Sequence, residues 1–376
     1  MKRIAILVLV FFLFALFVGC DNLSGRPFVT EWQWKSGQKV TVPIYGNNVK
    51  GFVHAQNHSD VNLKIEISEG KVCTFTAPYD DTYEMTIYPE GVTQFQVFDY
   101  DRPYEGLTDE EADKKYKELG DFCATLFKIK QWGDVKWRSM AWAFALCQNM
   151  TLASDAGNPN LENCRSCKAM FFECKRFNTP LNEWNVSHIE DMGAMFSECS
   201  SFNQPLDKWD VSHVTDMRFM FDRCPRFNQP LASWDVSQCQ NMSCMFRECI
   251  SFDQPLNSWN VFNVTDMSEM FRGAKSFNQP LGLWDLSNVE SLARIFEKAE
   301  NFNQDLSSWR IPKCKSISFA HSGMSSDNLS KTLIEWKNNF GWVKGLIVDI
   351  EGLTVNDEAN NILQMCNESG TWKVYR

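Results

Sequence analysis

The 376-residue chain is short of positive charge: 37 Lys and Arg stand against 47 Asp and Glu, for a net charge of −10. No Lys/Arg cluster interrupts that excess. The chain is therefore a poor match for nucleic acid or anionic lipid headgroups, which reward a basic surface. Histidine is scarce as well, with five in all, and they are scattered. His188 and His213 share one repeat position that elsewhere holds Gln238, Asn263 and Asn288, which reads as an exposed site and not a metal ligand. No nucleophile–base constellation and no carboxylate pair stands outside a repeating pattern. No catalytic residue, metal or cofactor is assigned, and an exported enzyme is the weakest of the function classes. The apolar run Ile4–Val18 falls short of the roughly 20 residues that a membrane-spanning helix needs.

That run does have the layout of a processing segment. Lys2 and Arg3 precede it, and it closes on Val18-Gly19-Cys20, which resembles a bacterial lipobox, with Phe17 where Leu is usual. The resemblance implies a signal peptide over 1–19 and an exported chain tethered to the membrane by acyl groups on Cys20. Cell-surface or outer-membrane display is expected. Asp21, which follows the lipidated position, leaves a periplasm-facing inner-membrane anchor as the alternative. Fourteen cysteines in an exported chain suggest disulfides, but most of them belong to a repeat.

Residues 20–28 read as a tether. From 29 to 104, short segments such as KVTVPIY (39–45), GFVHAQN (51–57), LKIEIS (63–68) and TYEMTIYP (82–89) alternate apolar with polar residues between turn residues, which predicts a β-sandwich. The stretch 105–136 reads as a linker with one short helix, capped by Thr108 and stopped at Gly120. Beyond it Trp184, Trp209, Trp234, Trp259, Trp284 and Trp309 recur every 25 residues, as do Phe177 to Phe302 and Leu181 to Leu306. A fixed period of this size marks a solenoid, expected over 137–324, with a C-terminal cap over 325–376. Leu206-x-x-Trp209-x-Val211 looks like a leucine-rich-repeat strand. Val214, Met217, Met220, Phe221 and Cys224 follow at three- and four-residue steps, which predicts a helical turn. Ser187/Glu190, Ser237/Gln240 and Ser287/Glu290 have capping-box spacing in front of it. The fold class expected is α+β multidomain: a β-sandwich followed by an α/β leucine-rich-repeat-like solenoid with 25-residue coils.

The pattern FNQPLxxWDVSxVTDMxxMFxxC resembles the BspA-like leucine-rich repeats of bacterial surface lipoproteins, also described as Mycoplasma-lipoprotein-associated repeats. QWGDVKWRSMAWAFALCQNM (131–150) is similar to that family's lead-in, and DNLSKTLIEW, VNDEANNILQM and TWKVYR to its C-terminal cap. The resemblance covers about residues 130–376. A PKD-like sandwich often precedes such arrays, but this chain lacks that domain's Trp-Gly-Asp-Gly turn. The resemblance implies a surface protein whose partners are host matrix or cell-surface proteins, or other bacterial surface proteins. It brings no catalytic residues.

Several tempting sites dissolve into the repeat. Cys164-x-x-Cys167, with Cys174 nearby, invites zinc, but both positions align with Ile, Val and Met in other coils and read better as core. The column Cys147, Cys174, Cys199, Cys224, Cys249 continues as Ala274 and Ala299, so it selects small size. The tryptophans read as core and not as a sugar-stacking platform. What is left is an outward strip: Asn182, Glu183, Asn185, Asp207, Lys208, Asp210, Ser233, Asp235, Ser258, Asn260 and Asp285. Stacked coils set these side by side as a binding face, or the Asn/Asp members serve local turns. Adhesion or protein binding is the expected function, with a structural or antigenic surface protein as the alternative.

Overall fold

The computed structural model describes residues 23–69, 71–96, 108–339 and 344–376. The signal segment, Cys20 and Asp21 lie outside the described residues. The N-terminal part forms β1 (Phe28–Trp34), β2 (Lys39–Thr41), β3 (Ile44–Gly46), β4 (Val49–Ala55), β5 (Asn62–Ile67), β6 (Thr74–Thr76), β7 (Asp81–Ile87) and β8 (Val92–Phe95). β1, β4 and β7 bury every second residue, because successive strand side chains point to opposite faces.

These strands do not form the expected sandwich. The main sheet takes two further strands from beyond residue 104, β9 (Leu126–Gln131) and β10 (Thr151–Leu152), in the order β10-β9-β1-β7-β4-β5. The pairs β2–β6 and β3–β8 stand as two-stranded ribbons. The segment read as linker thus supplies a sheet strand, and the reason is packing: Leu126 and Ile129 are fully buried. Phe28 of β1 then joins Trp132 at 5.7 Å and Trp137 at 5.2 Å, and Trp132 meets Trp184 at 5.4 Å. One aromatic core therefore runs from the sheet into the repeats.

Helix α1 (Asp109–Cys123) begins as expected. Thr108 accepts from the Glu111 N–H, and the Glu111 carboxylate accepts from the Thr108 N–H. It runs through Gly120 to Cys123, whose side chain is fully buried. Burial of the last turn outweighs the weak helix preference of one glycine, about 1 kcal/mol.

The α/β leucine-rich-repeat-like solenoid is not what the repeats build. Between β10 and β11 (Ser316–Ser318) the chain forms neither α-helix nor strand. It runs as stacked 25-residue turns joined by single parallel bridges, Ser166–Asp191–Asp216–Asn241–Asp266–Ser291. Two residues per coil have left-handed backbone, for example Ala194 (φ 54°) and Glu198 (φ 60°), then Phe219 (φ 58°) and Arg223 (φ 53°). Left-handed residues four apart forbid an α-helix. Both columns avoid β-branched residues, which fit that region worst, and one is Gly273 in the sixth coil. Main-chain donors alternate accordingly. Met195 and Ser197 N–H close tight turns onto Met192 and Ala194, while Met192, Ala194, Phe196 and Glu198 donate forward to Asp216, Arg218, Met220 and Asp222 of the next coil. The expected capping boxes do not form: Glu190 N–H goes to Arg165 O of the preceding coil.

Three side-chain ladders link successive coils, the thiol one ending at Cys249, where the column turns to alanine. The Trp209, Trp234, Trp259 and Trp284 indoles donate to Leu181, Leu206, Leu231 and Leu256 carbonyls, each at 2.9 Å. The Cys174, Cys199, Cys224 and Cys249 thiols donate to Phe144, Phe171, Phe196 and Phe221 carbonyls at 2.9–3.0 Å. Burial pushes these thiols up from their ordinary range, which keeps the donating proton in place. The recurring Phe-Asn-Gln is the third ladder. Asn228 Oδ1 accepts from the Asp253 N–H (3.0 Å) and Gln254 Nε2 (2.9 Å), and the Asn228 N–H donates to Asn203 Oδ1 (3.0 Å). Asn228→Ala strands two partly buried donors and is expected to cost about 1–3 kcal/mol, read as a lower urea midpoint. Asn228→Asp is expected to stay near the parent, since Asp253 already fills the same role toward Asn278 and Gln279. Equal midpoints for all three proteins would remove the ladder from the stability argument.

The C-terminal end copies the repeat with regular structure. Helix α2 (Ser326–Asn339) sends the Trp336 indole to Leu306 O at 3.0 Å, and Asn303 Oδ1 accepts from the Ser325 N–H and Asn328 Nδ2. β11 then pairs in parallel with β12 (Leu346–Asp349), and β12 with β13 (Trp372–Tyr375), which is preceded by helix α3 (Asp357–Glu368). No helix among the described residues is long and apolar enough to cross a membrane.

Candidate interaction face

The members of the outward strip lie in columns one coil apart and divide by what they touch. Asn185 and Asp210 accept from the N–H and the hydroxyl of Ser187 and Ser212, two residues on. Asp235 accepts from the Ser237 N–H, Asn260 from the Phe262 N–H and Asp285 from the Ser287 N–H. These are local side-chain turns. The Ser212 and Ser287 hydroxyls hold the Asp210 and Asp285 carboxyls below their ordinary range. Of the two alternatives for this column, turn chemistry is the one the contacts describe.

The remaining members bond along the stack. Asn182 Nδ2 donates to Asp207 Oδ1 (2.9 Å), and Asn182 Oδ1 accepts from the Lys208 N–H (3.0 Å). Ser233 donates to Asp207 O (2.9 Å) and Ser258 to Ala232 O (3.3 Å). Lys208 Nζ pairs with Glu183. One exposed position per coil thus reads Glu183, Lys208, Ser233, Ser258, Leu283, and Leu283 is 78% exposed. That column changes chemistry from coil to coil while its Leu and Trp neighbours stay constant.

A second variable face was missed. At the left-handed turns, one column reads Ala169, Ala194, Phe219, Cys244, Glu269, Arg294 and the next reads Phe172, Ser197, Asp222, Arg247, Arg272, Glu297. They build a half-buried ionic network. Arg247 forks onto Asp222 through Nε (2.7 Å) and Nη2 (2.8 Å) and reaches Glu269 at 3.2 Å. Arg272 bridges Glu269 at 3.4 Å and Glu297 at 3.2 Å, and the Arg247 guanidinium lies over the Phe219 ring at 5.3 Å. The available signal was the sign of charge changing between residues 25 apart.

Cys164 and Cys167 are buried, and the third cysteine of the zinc reading, Cys174, gives its S–H to Phe144 O. Among the described residues no group of three or more His, Cys, Asp and Glu is placed to hold a metal ion.

A family model described as "Mycoplasma protein of unknown function, DUF285" matches twice, over residues 138–249 and 229–336, together more than half of the chain. The chain belongs to this family. The DUF285 matches begin one residue after Trp137 and end on Trp336, the helix residue that closes the indole ladder. They therefore span the stacked turns and most of their first capping helix, and leave out every strand of the N-terminal sheet but β10. No curated protein and no solved structure matches the chain.

Proposed function

We propose that this DUF285 chain is an exported, lipid-anchored protein of the BspA-like surface kind, and that it works as a protein-binding module in adhesion. Supporting the binding role is one observation: a rigid stack that keeps its interior constant presents an exposed column whose chemistry changes along the array, from acid to base to hydroxyl to aliphatic, at Glu183, Lys208, Ser233 with Ser258, and Leu283. Recognition then consists of spaced contacts along the column, the way repeat stacks usually engage partners. Export and anchoring rest on Lys2, Arg3, the apolar run and Cys20.

Two measurements test the reading. The mature chain is expected to bind at least one matrix or surface protein saturably, and Lys208→Glu with Leu283→Ser is expected to weaken that binding roughly tenfold with the melting temperature unchanged. No saturable binding across a broad panel would favour the structural or antigenic alternative. External protease on intact cells should degrade the stack; full protection would rule out surface display.

A further inference from the structure

We infer that Cys123 and Cys147 form a disulfide that fastens the end of α1 to the first coil. The two residues belong to segments running side by side: Asn149 Nδ2 donates to Ala124 O at 3.0 Å, Thr151 Oγ1 to Phe127 O at 3.1 Å, and β10 pairs in parallel with β9 at Thr151–Lys128. Cys123 thus stands where the thiol column would have a further member before Cys147. Both are fully buried free thiols, and burial first, then the neighbouring Cys123, pushes the Cys147 thiol up from its ordinary range. Neighbouring positions of a parallel ladder lie about 5 Å apart, within the Cα separation of disulfides.

Cys147 differs from the other column thiols in what it would lose. Cys174, Cys199, Cys224 and Cys249 each donate to a phenylalanine carbonyl of the preceding coil. Cys147 has no repeat before it, and its thiol donates to Ala145 O of its own coil at a long 3.7 Å. Cys164 and Cys167 also perturb one another's thiols, but the Cys164 thiol already donates to Ser166 O (3.3 Å), as Cys239 and Cys314 donate to Asn241 O and Ser316 O. Those two have no cysteine three residues on, so the Cys164 bond belongs to its repeat position.

The reaction needs a disulfide oxidant such as oxidised glutathione. The two cysteine thiols give up their protons and two electrons, one S–S bond forms between them, and the S–S bond of the oxidant is cleaved to two thiols. The exchange takes place while the chain folds, before the pair is sealed. Its occurrence in the source cell rests on the export reading; its chemistry does not.

The test is non-reducing peptide mapping of the full chain, refolded in a glutathione redox buffer and, separately, isolated from the source cells. A Cys123–Cys147 linked peptide is expected in both, lost completely in Cys123→Ser or Cys147→Ser and retained in Cys174→Ser. No such link in the redox buffer, or links at other cysteines in comparable yield, overturns the inference. A link in the buffer with a reduced chain from the cells supports the inference and overturns the export reading.

Discussion

Phe221→Ala is expected to lower the unfolding free energy by about 3–5 kcal/mol, the range for removing a fully buried aromatic ring. Phe221 is 0% exposed and stacks between Phe196 (5.7 Å) and Phe246 (5.8 Å) of the flanking coils, and on Phe227 (4.0 Å) of the next. Deleting it opens a hole shared by three coils, and the small residues that could collapse into it are held by the ladders. Phe262→Ala is the control. That ring is 47% exposed, so its loss is expected to change stability by no more than about 0.5 kcal/mol. Denaturant midpoints followed by circular dichroism read both; similar losses for the two would show that the stacked column does not carry the fold.

Arg247→Met is expected to cost about 3–5 kcal/mol at neutral pH, because it leaves Asp222 charged, buried and unpaired. The Asp222 side chain is 5% exposed. Burial pushes its carboxyl up, and the Arg247 fork pulls it part of the way back. Without Arg247 the folded-state value rises further above the unfolded one, so the folded state holds the proton more tightly. Stability then falls as pH rises above the ordinary carboxylate range, and the deficit shrinks as pH is lowered toward it. Unfolding at pH 4 and pH 7 reads this slope. Asp222→Leu with Arg247→Met is expected to recover most of the loss, since a buried pair is often replaceable by apolar residues of similar volume. A deficit that persists at pH 4 and in the double variant would place the role of Arg247 in packing on Phe219.

Folding the sequence at 25 residues found the interior correctly but misread its backbone. Met192, Met195, Phe196 and Cys199 recur at three- and four-residue steps, which describes one face of a helix. Successive tight turns closing from residue i to i+3, such as Met195 onto Met192, produce the same steps. Periodicity cannot separate the two; the left-handed residues that do separate them carry ordinary side chains, Ala194, Glu198 and Phe219. β4 and β7 were legible in the alternation of GFVHAQN and TYEMTIYP. β9 was hidden because its partner β1 lies nearly 100 residues earlier. On the outward strip, Asn185 and Asp210 allowed two accounts until their serine partners were located. Glu183 and Lys208 were reached as outward positions between the inward Leu, Trp and Val, and comparing residues 25 apart on the turn columns would have reached Asp222 and Arg247.

The direction of the bonds has a consequence for size. The three ladders send their donors back to the preceding coil while the turn main-chain donors go forward to the following one, and Trp336 and Asn328 accept the role of a next coil at the end. Taking out 25 residues therefore lets the ladder bonds re-form between new neighbours, while taking out 20 breaks all of them at once. The array is a ruler with one permitted division, about 5 Å. Its reach changes only by whole coils, so duplication or loss of a single coil lengthens or shortens the protein without disturbing either end.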